Sequence, residues 1–177
     1  MKAPGSRGPR SLKARAMQWL AQREHSRAEM QRKLLPHARA LVAQARAGAS
    51  PESVEAPPPG EVVARVNEVL DWLEANRYLS EQRFAESRIQ ARSARHGNLR
   101  IRQELALHGI ALDAEAAQSL QASEFDRARE VWARKFEAPA ADAAARARQA
   151  RFLSSRGFSP ETVRRVLRAA GAPVDDD

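Results

Sequence analysis

The sequence predicts an all-α protein made of three degenerate three-helix units in an elongated arrangement, and three observations predict it. Ala, Leu, Arg, Gln and Glu dominate a 177-residue chain in which aromatics are only 5%, a composition that favours helix. No window alternates apolar and polar residues as a half-buried strand would. Helix stop and start signals recur along the chain with related spacing. Much of the 43% hydrophobic fraction is alanine, which contributes little buried area, so the expected core is thin and the shape extended.

The charge balance narrows the function classes. Thirty basic residues against 22 acidic ones give a formal charge of +8 and a pI near 11.0, a balance suited to nucleic-acid or nucleoprotein partners. The chain has no cysteine, which excludes disulfides, zinc-thiolate sites and thiol catalysis. No apolar run approaches the roughly 20 residues that span a bilayer, and the basic N-terminus lacks the apolar stretch of a secretory signal. The expectation is a soluble, cytoplasmic protein with no membrane association.

Residues 1–10 are rich in Gly, Pro, Arg and Lys and read as a disordered basic arm. Leu12, Ala16, Trp19 and Leu20 mark a first helix from Ser11 to about Glu24. Ser26-Arg27-Ala28-Glu29 matches a capping box and opens a second helix through Met30 and Leu34. Pro36 is expected to end it, and an Ala/Pro-rich insertion at about 36–60 follows, with a helical stretch possible over 37–47 and a proline-rich linker after it. Val62, Val63, Val66, Val69, Leu70, Trp72 and Leu73 form the wide apolar stripe of a third helix, with Asn76 as its C-cap. This first repeat covers 11–78.

The second repeat, 80–122, contains the most legible stretch. Ser80 is an N-cap; Phe84, Ala85 and Ile89 share one helical face; Gly97 joins this helix to another, in which Leu99, Ile101, Leu105 and Leu107 are expected to reach an interior. Gly109 can take the left-handed conformation that closes the helix, with Ile110 as the apolar latch. A weaker helix spans about 112–122. In the third repeat, 123–170, Ser123-Glu124-Phe125-Asp126 reads as a second capping box. Phe125, Ala128, Val131, Trp132 and Phe136 follow on one side, and Pro139 ends the helix. A helix after Ala141 then reaches Gly157, a C′ residue with Phe158 as latch. Ser159, Pro160 and Glu161 start the last helix as N-cap, N1 proline and first-turn acid, with Val163, Val166 and Leu167 inward. An acidic tail, 171–177, ends the chain.

Superposing Met30, Leu105 and Leu153 aligns three basic second helices, and two of these then arrive at Gly-Ile and Gly-Phe. With these residues in hand, the chain resembles the RecX family of recombinase regulators. The resemblance is carried by Arg23-Glu24-His25-Ser26-Arg27-Ala28-Glu29-Met30, Leu79-Ser80-Glu81-Gln82-Arg83-Phe84-Ala85-Glu86, Arg100-Ile101-Arg102-Gln103-Glu104-Leu105 with Gly109-Ile110, and the run Arg151-Phe152-Leu153-Ser154-Ser155-Arg156-Gly157-Phe158-Ser159-Pro160-Glu161. Together they cover most of 11–170 in the order the family uses. The insertion at about 36–60 and the Ala111-Leu112-Asp113 turn, longer by one residue, depart from the family pattern. The resemblance implies three tandem three-helix repeats in an elongated, curved arrangement. It also implies binding to the RecA–DNA filament and inhibition of its ATPase, recombinase and co-protease activities, within homologous recombination, DNA repair and the SOS response.

Catalytic chemistry is not expected. The four histidines lie at predicted helix ends or in loops without ligand spacing, where surface or capping roles suit them best. No phosphate-cradling glycine motif occurs, so neither metal nor cofactor is implied, and ATP hydrolysis would belong to the partner. The candidate binding residues are cations, whose forks and point charges pair with phosphate or carboxylate alike. Arg27, Arg32 and Lys33 belong to the first repeat. Arg83, Arg88, Arg92, Arg95, Arg100 and Arg102 belong to the second; Arg148, Arg151 and Arg156 belong to the third. Trp19, Trp72, Trp132, Phe84 and Phe152 fall on apolar faces and read as packing residues rather than base-stacking rings. The alternative function is a helical DNA-binding protein acting through direct contacts to single- or double-stranded DNA phosphates; base reading by Asn98 and Arg100 is a weaker form of it. A monomer is expected, because the repeats can cover one another.

Overall fold

The computed structural model describes residues 11–47 and 60–171. These form helices only: α1 (Leu12–Leu20), α2 (Arg27–Ala47), α3 (Glu61–Ala75), α4 (Glu81–Ser93), α5 (Asn98–Ala106), α6 (Ala114–Ala122), α7 (Glu124–Ala133), α8 (Ala143–Ser155) and α9 (Pro160–Ala170). The helices follow one another as three trios. The chain divides into two compact units, Met1–Phe84 and Ala85–Asp177. The expected arm, acidic tail and proline-rich linker lie outside the described residues, apart from Gly60 and Gly171.

In the first unit, the Ser11 hydroxyl accepts from the Ala14 amide and starts α1, which ends at Leu20, four residues before the expected Glu24. The Ser26 hydroxyl accepts from the Glu29 amide at 3.1 Å and starts α2, as the capping box predicts. Pro36 does not end that helix. α2 continues to Ala47 with Pro36 inside it, and the insertion expected from residue 36 therefore begins no earlier than residue 48. The reason is tertiary: Met30, Leu34, Ala38 and Val42 recur every four residues and are at most 5% exposed. Met30, Leu34 and Ala38 form one cluster with Ala16 of α1 and Val66, Leu70 and Leu73 of α3. Burial of that stripe offsets the roughly 3 kcal/mol that an interior proline costs a helix.

Three helices end in the same hydrogen-bonded loop. Tyr78 N–H donates to Leu73 O and Arg77 N–H to Glu74 O after α3; the same pair of bonds joins Ile110 to Leu105 and Gly109 to Ala106, then Phe158 to Leu153 and Gly157 to Ser154. Each is a Schellman motif, which requires a residue of positive φ. Gly109 (76°) and Gly157 (82°) supply it as their sequence positions predict, whereas after α3 the left-handed residue is Arg77 at 60°. Asn76 assists by donating from its side chain to Trp72 O.

In the second unit, α7, α8 and α9 pack pairwise around Ala128, Val131, Leu153, Phe158, Val163, Val166 and Leu167. Asp113, Asp142 and Ser159 cap α6, α8 and α9 through their side chains. Ser123 does not form the expected capping box. It has helical dihedrals and makes no cap bond, while its hydroxyl donates back to Ser119 O and Leu120 O, so α6 runs almost directly into α7. The middle helices are thinner in apolar contact. Ile101 and Leu105 are buried, but Leu99 is 49% and Leu107 is 81% exposed, against the expectation that both face inward, and Ile89 is only half-buried. On the short α5, the inward stripe of Ile101 and Leu105 leaves Leu99 and Leu107 beyond its edges.

Candidate partner-binding surface

Of the basic residues singled out in the sequence, several are engaged with carboxylates of the same chain. In the first unit Arg27 reaches from α2 to Asp71 (2.7 Å) and Glu74 (2.5 Å) on α3, and these partners hold its pKa above the ordinary value despite its burial. Arg83 Nε lies 2.7 Å from Glu24. Lys33 sits over the Trp19 ring, and Arg32 is exposed. In the second unit Arg88 and Arg92 share Glu104, at 3.5 and 2.8 Å.

The others lie on the second unit, where Arg156 is half-buried. Arg95, Arg100, Arg102, Arg148 and Arg151 are exposed, and no described carboxylate forms an ion pair with any of them. Arg148, Phe152 and Arg156 follow at four-residue intervals along one face of α8. The turn after α4 lies against the turn after α8: Gly97 N–H donates to Arg156 O and Leu99 N–H to Gly157 O. A Cβ on Gly97 would overlap the Gly157 carbonyl and Phe158 backbone, and one on Gly157 would come within 2.7 Å of the Arg100 backbone nitrogen. This glycine-to-glycine approach brings Arg95, Arg100 and Arg156 into one neighbourhood, with Arg156 Nη1 3.5 Å from Arg95 O and Arg100 Nη1 3.5 Å from Ser155 O.

Beside that junction is a groove of about 450 Å³ lined by Arg95, Arg134, Lys135 and Arg156 over Ala94, Val131 and Phe152. Arg156 lies over the Phe152 ring at 4.5 Å, and Phe136 meets the same ring edge-on. The field here is positive. Burial lowers the pKa of His96, and Arg100, Arg92 and Arg156 push it further down, against an opposing bond to the Arg92 carbonyl. Arg134 and Lys135 were not among the sequence candidates; they directly follow the last turn of α7, and only folding brings them opposite Arg95.

The junction rests on two residues, one buried and one half-buried, that sequence reading did not select for this role. Glu124, fully buried, accepts from Asn98 N–H (2.9 Å), Ser159 Oγ (2.7 Å) and Thr162 Oγ1 (2.8 Å). Burial alone would raise its pKa, but these donors hold it below the ordinary value. Arg127 donates to His96 O, Asn98 Oδ1 and Leu120 O; burial lowers its pKa, opposed by the Glu124 charge. Asn98 is thereby consumed. It is 3% exposed and held by Gln121 and Arg127, so it does not face a groove of DNA as the base-reading idea required.

The histidine expectation also needs correction at one position. His25 is 1% exposed, with Nδ1 3.2 Å from Glu29. Its burial lowers its pKa, with Arg23 and Lys33 adding to this and Glu29 opposing. Among the described residues, no three His, Cys, Asp or Glu side chains are grouped to hold a metal ion, and no helix is long and apolar enough to cross a membrane.

Comparison with known proteins matches residues 80–116 to the second three-helix domain of RecX and residues 122–167 to the third. Proteins named "Regulatory protein RecX" are similar over almost the whole chain. That of Ralstonia nicotianae is 45% identical over 96% of this chain and 94% of its own. That of Leptothrix cholodnii is 46% identical over 94% of each, and one from Neisseria meningitidis is 37% identical over 91% of this chain and 92% of its own. Identity at this level, sustained across both units and joined to an all-helical fold of three-helix trios, means that the chain belongs to the RecX family of regulatory proteins.

Proposed function

We propose that the protein is a non-enzymatic regulator that binds the RecA–DNA filament and lowers its ATPase, recombinase and co-protease activities. The observation that carries this is the near full-length similarity to proteins named as RecX regulators. The exposed cations of the second unit support it, since guanidinium groups without an internal carboxylate are available to a filament's phosphates and acidic side chains. In this reading the three repeats are the docking modules, the protein acts as a cytoplasmic monomer, and it needs no cofactor. Arg102, Arg148 and Arg151 carry binding, while Arg27, Arg83 and Arg92 serve mainly to hold helices together. Adding the purified protein to RecA on single-stranded DNA depresses ATP turnover, and the effect survives moderate salt. Unchanged turnover at a several-fold excess over RecA sinks the proposal.

The exposed cations also favour a second reading, in which the protein binds DNA directly and affects RecA only by competition. Its affinity for single strands without RecA would then fall with salt at a log–log slope of about −0.7 per phosphate contacted. A flat slope, or no binding without RecA, rejects it.

A further inference from the structure

We infer that the groove between the α4–α5 turn and the ends of α7 and α8 is a docking site for an acidic protein segment that carries an apolar side chain among its carboxylates. The site stands apart from the filament reading, because its chemistry selects such a segment whatever larger partner bears it.

Four cations reach the groove from three directions: Arg95 from the turn after α4, Arg134 and Lys135 from the end of α7, and Arg156 from the end of α8. Arg95 and Lys135 are exposed and have no ion pair with a described carboxylate. Arg134 donates to the Ala94 carbonyl at 3.3 Å, which aims it at the groove wall, and its one ion pair with a described carboxylate, to Glu130, is about 60% exposed on both sides, so a ligand displaces it at little cost. The rim therefore carries more positive charge than the described carboxylates balance.

The floor decides between ligand classes. Val131 and Phe152 present apolar surface beneath the cations, and the Phe152 ring is fixed by Phe136 at its edge and Arg156 over its face. A phosphodiester backbone satisfies the rim but offers that floor nothing apolar. A peptide satisfies both, because alternate side chains place carboxylates at the rim and one aliphatic or aromatic group on the floor. About 450 Å³ holds a few side chains rather than a track of phosphates. The guanidinium forks of Arg95 and Arg156 pair bidentately with carboxylates.

The test is fluorescence polarisation of the full-length protein with a short labelled peptide of glutamates around one central leucine, at near-physiological salt. The peptide should bind, its glutamine counterpart should not, and exchanging its leucine for alanine should weaken binding about tenfold. Arg95→Glu with Lys135→Glu should weaken binding by about tenfold or more. Both side chains are exposed, so the fold, checked by circular dichroism, should persist. The control Arg164→Glu with Arg168→Glu makes the same change of net charge on the exposed face of α9, outside the groove, and should stay within about twofold. Any of three results overturns the inference: equal loss in the control, which means a diffuse field; indifference to the leucine, which means no use of the floor; or tighter binding of an oligothymidylate of matched charge that is lost in the groove variant, which means a nucleic-acid site.

Discussion

The middle and last trios of helices share a sequence pattern but are held together differently. α7, α8 and α9 pack pairwise around a closed apolar cluster that runs from Ala128 to Leu167. α4, α5 and α6 make no comparably close approach to one another; α6 has its closest helix partner in α7. Beside the Arg88 and Arg92 pairs with Glu104 and the buried Phe84, Ile101 and Leu105, the middle trio is held by polar contacts from the next trio: Glu124 on the Asn98 amide, Arg127 on the His96 and Leu120 carbonyls, and the Gly97–Gly157 contact. Similar repeats thus differ in autonomy, and the stability of one is an interface term with its neighbour.

This comparison is open to direct attack. The largest effect is expected from Leu153→Ala, which removes a fully buried side chain of α8 and should cost about 2–5 kcal/mol. Hydrogen exchange should show α4–α6 losing protection together with α7–α9; preserved protection in α4–α6 would break the claim of dependence. Glu124→Gln should cost about 3 kcal/mol, because an amide cannot accept all the donors that converge there and leaves Arg127 without its nearest buried counter-charge. A loss under about 1 kcal/mol in a denaturant titration would show that the hub is incidental. The two glycines sharpen the point. Gly97→Ala forces the docked turns apart and should cost about 2 kcal/mol. Gly109→Ala meets open space and suffers only its positive φ, at about 1 kcal/mol. If Gly109→Ala is the more damaging of the two, turn docking is not what holds the middle trio.

The smallest expected effect is in pH. His25 in the first unit and His96 in the second have folded-state pKa values below the ordinary 6.5, so the unfolded chain takes up the proton first. The stability each contributes is complete above about pH 6.5 and is lost as pH falls from there through the folded value. Glu124 is held below 4.5, and its contribution is lost only as pH falls below that. In a His96→Gln protein, amide protection in the second unit should therefore hold nearly level between about pH 6.5 and 4.5 while that of the first unit declines. Parallel decline in both units would show that buried His25 does not distinguish them.

Much of the local structure was legible in the residues. Ser26, Ser80 and Ser159 announce their helices through their own side chains, and Gly109 and Gly157 end theirs because only glycine takes positive φ without strain. Arg77 shows the limit: an arginine occupies the same conformation after α3, and nothing in its chemistry advertises this. Pro36 and Ser123 misled for a related reason. A proline break and a capping box are local preferences, and each was overridden, at Pro36 by the burial of Ala38 and Val42 beyond it, Ala38 in one cluster with α3, and at Ser123 by a hydroxyl that bonds backward into α6.

For the binding surface, the sequence identified the charge type but not which charges are available. Arg27 and Arg102 look alike in the chain, yet one is spent on Asp71 and Glu74 and the other is open. By itself, then, the sequence determined the helical class, most of the caps, the tandem trios, the positive charge and the family resemblance, because these depend on local chemistry and on order along the chain. The tertiary structure alone decided that α2 runs on through Pro36, that Glu124 and Arg127 join the middle trio to the last, and that Arg134 and Lys135 face Arg95 and Arg156 across a groove. Each of these depends on which residues distant in sequence meet, and that is set by how helices pack.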